Sequence, residues 1–417
     1  MKALILVVLL ALSSSLLFST SVRADQVVTF GRIWNSGIAI DSAGNVAIIG
    51  STVGFGNNYP ALATLLKYSP SGKLECFKTF GGGSSLLDTF GYAVAFDTSN
   101  NMYVTGTTQT FGGQDFDVFL QKYDSSCNLV VPTFQWAGPG NDVPRGIAVD
   151  SFDNVYITGY TDSYGAGQFD VFLLKFRPYD NEFLFSKTWG GPRNDYGFGV
   201  AVDGFDNVYV TGATNSYGAA QSSYGATASD AFLLKYDSSG NLLFQKTWGG
   251  PQNDYGNGVA VDSAGDIYVA GTTNSFGTKS GVPNAFLLKY DSGGRLLFNQ
   301  FWEEGQSSYG TGVTVDAVGN VYLTGYAYGL GTNLGVPKAF LLKYDPSGNL
   351  LLRRAWGGNR GDYGYGVVVD FQGNIYETGY TFSFGPNAQG VNIFFLKYAP
   401  SGDLLFQKTY GGGTPDP

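Results

Sequence analysis

The sequence predicts an all-β protein, a seven-bladed β-propeller built from four-stranded antiparallel blades. Three observations predict this architecture. One strand-rich unit recurs seven times along the 417 residues. Its strand segments are β-branched and aromatic, they are separated by Gly-rich turns, and nothing in them has a helical period. Its third strand is apolar on both faces, so each sheet must be covered on both faces, and only other copies of the unit are available to cover it.

Each copy is anchored by an aspartate at the end of its first strand, and a glycine that closes the second strand follows nine residues later. The anchors are Asp41, Asp97, Asp150, Asp203, Asp262, Asp316 and Asp370. An Asp-x-x-Gly-Asn turn joins strands one and two, and an Asp-x-Ser-Gly-Asn turn joins strands three and four. An open solenoid is the alternative architecture, but the distinctive polar caps that it needs at both ends are not evident in the sequence.

Three motifs of the unit carry a family resemblance: Gly199-Val-Ala-Val-Asp203, Asn207-Val-Tyr-Val-Thr-Gly212 and Phe232-Leu-Leu-Lys-Tyr-Asp237. On these motifs the chain resembles the SBBP-type seven-bladed β-propeller repeat family of bacteria and archaea, and more distantly the NHL-like propellers. The resemblance extends over essentially all of residues 30–412. It implies an exported or cell-surface protein used for binding, and it brings no general active site with it.

The N-terminus is typical of a signal peptide, residues 1–24. Lys2 precedes an apolar run at residues 3–12, and Val22-Arg23-Ala24 is a small-x-small cleavage pattern. We expect cleavage after Ala24, which leaves one propeller domain, residues 25–417, in an extracellular, cell-surface or periplasmic location. An uncleaved membrane anchor is the alternative, but the apolar run is short, and no later run is long enough to insert in a membrane.

Composition excludes several function classes. The chain has 24 basic and 33 acidic residues, a net charge of −9, so nucleic acid is not expected as a partner. Histidine is absent, which excludes His-based triads and His-containing metal sites. It also predicts a flat stability profile between about pH 5.5 and 8. No catalytic residue, cofactor or metal site is predicted, and the sequence leaves the oligomeric state open.

Function is expected where the repeats differ. The loops between strands two and three, and those from strand four to the next blade, vary and should emerge on one face. The residue before the first-strand Gly or Ala also varies. The predicted ligand-binding rim comprises Tyr92, Arg145, Phe198, Asn257 and Tyr365, with Tyr224 from an insertion in the fourth copy. Unselected loop drift is the alternative explanation of this variation.

These features predict a non-enzymatic binding scaffold whose partner, a protein or an extracellular glycan, binds the variable-loop face. One alternative is a carbohydrate-binding, lectin-like module that uses Tyr and Phe of this face. A polysaccharide-active enzyme would need a carboxylate pair from Glu303, Glu304 and Glu377, which depart from the repeat pattern. Because Glu303 and Glu304 are sequence neighbours that would point to opposite sides of an extended chain, this alternative is the least favoured.

Residues repeated in every copy are interpreted as structural. The strand-three lysines should pair with the anchoring aspartates, although a ring of charge that binds ions is the alternative. Asp142, Asp195, Asp254 and Asp362 recur after strand four, and we favour turn capping over calcium binding. The aromatics Phe55, Phe111, Tyr164, Tyr217, Phe276 and Phe384 should pack between blades rather than stack sugars.

Two further expectations concern the pairing of the two cysteines and the strand that completes the last blade. In repeat coordinates Cys76 and Cys127 differ by four strand positions, about 13 Å, so we expect no disulfide. Residues 30–34 form an extra copy of strand four, matching Phe406-Gln-Lys-Thr-Tyr410. Because the C-terminal copy follows its own third strand through a tight turn, we expect it, and not the N-terminal copy, to complete blade seven.

Overall fold

A computed structural model describes residues 37–53, 61–81, 88–109, 115–177, 182–218, 228–278, 281–385, 391–411 and 414–415. These residues contain no helix. They form seven antiparallel sheets, in each of which four consecutive strands pair in chain order. The predicted fold class is therefore confirmed. No helix long and apolar enough to cross a membrane occurs in this described part of the chain.

The strands are numbered in chain order, four to a blade. Blades one to three are Gly37–Ile40, Val46–Val53, Ala61–Tyr68, Leu74–Phe80 (β1–β4); Thr89–Phe96, Met102–Thr108, Asp117–Tyr123, Leu129–Trp136 (β5–β8); and Asp142–Val149, Val155–Thr161, Asp170–Phe176, Phe183–Trp189 (β9–β12). Blades four and five are Asp195–Val202, Val208–Thr214, Asp230–Tyr236, Leu242–Trp248 (β13–β16); and Asp254–Val261, Ile267–Thr273, Asn284–Tyr290, Leu296–Trp302 (β17–β20). Blades six and seven are Ser307–Val315, Val321–Tyr328, Lys338–Tyr344, Leu350–Trp356 (β21–β24); and Asp362–Val369, Ile375–Thr381, Asn392–Tyr398, Leu404–Gly411 (β25–β28), with Thr414–Pro415 (β29) added at the edge.

Each anchoring aspartate organises the turn between the first two strands of its blade. The carboxylate of Asp203 accepts hydrogen bonds from the backbone N–H groups of Phe205 and Asn207, both at 2.9 Å, and from the Asn207 side chain at 2.8 Å. The same turn recurs at Asp41, Asp97 and Asp370. This local Asx geometry explains why the residue is repeated without any role in a ligand site.

The strand-three lysines join neighbouring blades. Lys175 lies 4.9 Å from the centre of the Tyr156 ring and donates a 2.8 Å hydrogen bond to the Ser238 carbonyl of the next blade. The predicted ion pair with the anchor is present at Lys122–Asp97, 3.3 Å, and at Lys175–Asp150, 3.8 Å. These contacts support the structural interpretation, because the buried lysines have partners in their own blade or in the next blade.

The core consists of seven apolar clusters, and each cluster lies between two adjacent blades. One of them joins blade seven to blade one, where Tyr68 stacks on Phe395 with ring centres 4.8 Å apart. Lys397 of blade seven also donates to the Pro70 carbonyl of blade one at 2.8 Å. The seven sheets therefore form a closed ring.

The C-terminal copy of strand four completes blade seven, as predicted. β28 pairs with β27 from Ile393 opposite Tyr410 to Tyr398 opposite Leu404. A side-chain carbon placed on Gly72 of blade one would lie 3.0 Å from the Phe406 ring of β28, so this strand also contacts the neighbouring blade. Residues 30–34 lie outside the described residues.

The expectation that the two cysteines are unpaired is wrong. Cys76 and Cys127 form a disulfide between blades one and two, with Cα atoms 6.3 Å apart. The sequence argument assumed that adjacent blades align position for position along strand four. They are instead staggered, because the turn glycine of one blade lies against the strand-four residue of the preceding blade. This contact recurs at Gly240 and Phe185, at Gly294 and Phe244, at Gly348 and Phe298, and at Gly402 and Leu352.

Candidate functional site

A β-bulge interrupts the first strand of blades two to seven. At this point one extra residue is inserted opposite the second strand. The bulged residues are Tyr92, Arg145, Phe198, Asn257, Thr311 and Tyr365. A bulge redirects a side chain, and here it accounts for five of the six residues predicted to form the rim. The sixth, Tyr224, lies outside the described residues.

The bulged residues line the axis of the ring. The Asn257 amide donates to the Gly310 carbonyl at 2.7 Å, and the Thr311 hydroxyl lies 3.0 Å from the Gly364 carbonyl, so each contacts the first strand of the next blade. Most of these side chains are buried: Phe198 is only 4% exposed, and Arg145 and Tyr365 are 8% exposed. They form the wall of the channel and not an open rim.

The exposed part of the site is an aromatic position that the sequence reasoning did not single out. The residue that follows the buried aspartate position of the first strand, which is Thr89 in blade two and Ser308 in blade six, is half-buried and aromatic in five blades; we call this set, Phe90, Tyr196, Tyr255, Tyr309 and Tyr363, the aromatic mouth. The signal was present as the repeated Asp-Tyr-Gly sequence, in which only the aspartate was interpreted. Because side chains alternate along a strand, the residue after a buried aspartate faces the other way.

Further aromatic rings pack against the side chains of the aromatic mouth. Tyr196 lies 5.1 Å from Tyr160 and 5.6 Å from Phe169, centre to centre. On the other side of the ring Tyr326 stacks on Tyr309 at 4.7 Å and lies 4.9 Å from Tyr363. Burial raises the pKa of Tyr309 and raises that of Tyr363 to about 12, so these hydroxyls remain protonated hydrogen-bond donors at neutral pH.

The two variable loop types share the face that carries the aromatic mouth. Backbone N–H groups of the loops before strand one donate to serine hydroxyls after strand two, at Gly140 to Ser163, 3.0 Å, and at Arg193 to Ser216, 3.1 Å. A groove of about 500 Å³ opens on this face in blade three. Its lining is Pro139, Gly140, Asp162, Gly167, Gln168 and Phe169. The groove therefore ends beside the ring that supports Tyr196.

The aspartates that precede the aromatic mouth hold loops in place. The buried Asp195 carboxylate accepts from the Ser216 hydroxyl at 2.6 Å, from the Gly191 N–H at 2.8 Å and from the Thr214 hydroxyl. Asp254 and Asp362 have the same partners in their own blades. No group of three His, Cys, Asp or Glu side chains able to hold a metal occurs in the described ranges. This geometry supports the turn-capping interpretation.

A second recurrent aromatic set packs between blades, as predicted. Tyr164 lies 5.0 Å from Trp136 of the preceding blade, and Phe384 lies 5.0 Å from Trp356. Tyr217 and Phe276 make equivalent contacts with Trp189 and Trp248. Phe55 and Phe111 lie outside the described residues. Each of the four described rings covers the strand-four tryptophan of its neighbour, and Tyr164 and Tyr217 remain 44% and 36% exposed.

The three unusual glutamates occupy different surroundings. Glu303 accepts from the Thr278 backbone N–H at 2.9 Å, and Glu304 pairs with Arg353 on the outer strand of blade six. Glu377 is 1% exposed, and it accepts from the hydroxyls of Thr324 at 2.5 Å and Tyr398 at 3.3 Å. Burial raises the pKa of Glu377 to about 8. Glu377 is closed to substrate, so it cannot form a glycosidase pair with the other two without rearrangement of the blade.

Comparison with known proteins supports the repeat assignment. A family model described as SBBP, β-propeller repeat, matches residues 135–165, 188–218, 248–277 and 356–383. The chain therefore contains SBBP β-propeller repeats. Each matched segment runs from the end of one blade through the first two strands of the next, and therefore includes the bulge and the aromatic mouth position. No curated protein matches the sequence.

Solved structures resemble this propeller in fold. The periplasmic gluconolactonase of Pseudomonas aeruginosa is 11% identical, with 89% of this chain and 98% of that chain covered and a TM-score of 0.52. A quinohemoprotein alcohol dehydrogenase from Comamonas testosteroni is 11% identical, with 94% of this chain and 70% of that chain covered and a TM-score of 0.51. At this level of identity the likeness shows the fold alone.

Proposed function

We propose that this protein is an exported binding scaffold that holds an extracellular glycan against the aromatic mouth. The single observation that carries the proposal is the recurrence of half-buried Tyr or Phe at one strand position in five blades, around one channel opening. Aromatic rings offer flat apolar faces, and the tyrosine hydroxyls add hydrogen bonds at the edge. A sugar ring, with apolar and polar faces of its own, fits such a surface.

Export rests on two independent features. The N-terminal apolar run and cleavage pattern are typical of a signal peptide, and residues 1–36 lie outside the described residues. The Cys76–Cys127 disulfide is a bond that persists in oxidising compartments and is rare in the cytosol. Localisation of the chain in its host, by fractionation with a reducing-agent control for the disulfide, tests this part of the proposal.

The binding part is tested on an array of bacterial and plant cell-wall glycans. We expect Tyr196→Ala and Tyr309→Ala to weaken binding of the recognised glycan by about 1–3 kcal/mol each, because a stacking surface is lost. The matched control is Phe205→Ala, a ring that is 83% exposed in a hairpin on the opposite face. Unchanged binding in both tyrosine variants would rule out the aromatic mouth as the site.

A protein partner is the second outcome of the same experiment. If no glycan binds but a purified secreted protein does, and Tyr196→Ala abolishes that complex, then the surface is right and the ligand class is wrong. An enzyme is the remaining class, since this fold also carries enzymes. The proposal expects no turnover of any bound glycan, and product release that depends on Glu303 or Glu304 would contradict it.

A further inference from the structure

The channel wall contains one arginine whose charge is not neutralised. Arg145 is 8% exposed, and its Nη2 group donates a 3.0 Å hydrogen bond to the Tyr160 hydroxyl. Its Nε and Nη1 groups are buried and have no hydrogen-bond partner within the described part of the chain. No carboxylate in the described part of the chain lies within ion-pair distance of the Arg145 guanidinium.

Two aromatic rings flank this guanidinium. Its central carbon lies 4.8 Å from the centre of the Tyr92 ring and 5.3 Å from that of Tyr160. Cation–π contacts stabilise a partly buried cation, but they leave N–H donors unsatisfied. A buried guanidinium with unpaired donors is costly, and a bound anion that accepts from them would remove that cost.

The arginine is connected to the ligand surface. Tyr160, which accepts from Arg145, lies between it and the half-buried Tyr196 and Phe169 rings, and Phe169 lines the groove on the loop face. The Nε and Nη1 groups are covered, so binding of an anion to them would require the adjacent Tyr92 ring to turn aside. A ligand at the mouth can therefore place one group toward Arg145 while its ring remains on the aromatic surface.

We infer that Arg145 is an anion anchor and that the glycan held by this protein is a sugar acid, whose carboxylate binds Arg145 while its ring stacks on the aromatic mouth. This inference rests on the proposed function and adds the ligand's charge to it. The net charge of −9 disfavours long polyanions, so a short, singly charged saccharide is favoured over a polyuronate.

The test is calorimetric titration of the purified protein with sodium glucuronate, glucose and sodium acetate. We expect glucuronate to bind at least tenfold more tightly than glucose. Arg145→Met should reduce glucuronate affinity to the glucose level and leave glucose affinity unchanged. Arg193→Met is the matched control: it makes the same charge change at an exposed arginine in a loop of the same face, and it should preserve the preference.

A stability measurement separates an anchor from a structural arginine. Without an added organic anion, Arg145→Met should have the same or a higher denaturation midpoint than the wild type, because it removes an unpaired buried charge. If Arg145→Met does not fold, Arg145→Lys keeps the charge but not the guanidinium geometry. It should weaken glucuronate binding severalfold with no change for glucose.

The outcomes distinguish the two proposals. Equal binding of glucuronate to the wild type and Arg145→Met overturns the anchor, as does equal affinity for glucuronate and glucose. If acetate binds in an Arg145-dependent way but neither sugar binds, the anion site stands and the glycan function fails. If glucose and glucuronate bind equally and Tyr196→Ala abolishes both, the glycan function stands and the anchor fails.

Discussion

Cys127, in the turn between β7 and β8, is bonded to Cys76 in β4 at a place where other blades have a glycine under an aromatic or leucine side chain. The bond thus replaces a packing contact that the stagger of the blades creates at every described equivalent. Cys127 also adopts the left-handed backbone conformation, with φ of 65°, as expected for a position that is glycine elsewhere.

We predict that the denatured, unreduced protein has no free thiol and that Cys76→Ala with Cys127→Ala lowers the free energy of unfolding by about 2–4 kcal/mol. The bond joins residues 51 apart in sequence, so its loss frees a long loop in the unfolded chain. Urea denaturation measures the loss. The pair Cys76→Phe with Cys127→Gly, which restores the contact of the other blades, should recover much of it. Two titratable thiols in the wild type would contradict the bond.

Stability should fall as pH rises from 5 to 8, contrary to the flat profile expected from the lack of histidine. Burial raises the pKa of Glu377 from 4.5 to about 8 and that of Asp142 from 3.8 to about 6. Between each pair of values the folded state holds more protons than the unfolded state. The stabilisation is therefore complete below the unfolded pKa and is lost as pH rises through the folded pKa, by up to about 1.4 kcal/mol per pH unit and group.

The Glu377→Gln variant isolates the larger part of this dependence. The amide cannot ionise, so we expect denaturation midpoints that change much less between pH 6 and 8 than those of the wild type. Glu303→Gln, at an exposed glutamate, should retain the wild-type slope. An identical slope in the wild type and Glu377→Gln would show that this carboxyl is not the group that titrates.

The fold was predictable because its determinants are local and repeated. Asp203 and Asn207 form their turn within five residues, and the Phe232 position is also phenylalanine in the third strands of all blades except blade one, which has Thr64. The Cys76–Cys127 contact was not predictable, because the stagger between blades is a property of packed sheets and not of any one repeat. The burial of Tyr365 and Arg145 was hidden for a related reason: a bulge, not a loop, directs them to the axis.

The buried aspartates of the loop face should be structural, with Asp254 as the test. Its carboxylate holds the Ser275 hydroxyl at 2.6 Å, the Gly250 N–H at 2.9 Å and the Thr273 hydroxyl. We expect Asp254→Ala to cost about 2–4 kcal/mol of unfolding free energy, because several buried donors lose their acceptor. Calcium or a chelator should not move the wild-type midpoint, and a calcium-dependent rise lost in Asp254→Ala would favour an ion site.

Blade six offers a natural comparison for this prediction. Ser308 stands at the aspartate position, donates to the Trp302 carbonyl at 2.6 Å and accepts from the Ala285 N–H at 2.9 Å. It makes fewer hydrogen bonds and carries no charge. Ser308→Ala should therefore cost only about 1 kcal/mol, and the difference between the two variants measures what the buried carboxylate adds.

Ring closure should depend on the C-terminal strand and not on the extra N-terminal copy of it. β28 supplies Tyr410, which is 2% exposed in the cluster between blades seven and one, and Phe406, which lies against Gly72 of blade one. Loss of a large buried aromatic costs about 3–5 kcal/mol, so deletion of residues 403–417 should lower the melting temperature by on the order of 10 °C or more. Deletion of residues 25–34 should change it by only a few degrees.

Tyr410→Ala tests the same point without removing backbone, and Trp34→Ala is the corresponding substitution in the N-terminal copy of the strand. If the N-terminal changes are the more damaging pair, residues 30–34 contribute to closing the ring and β28 is not sufficient for it.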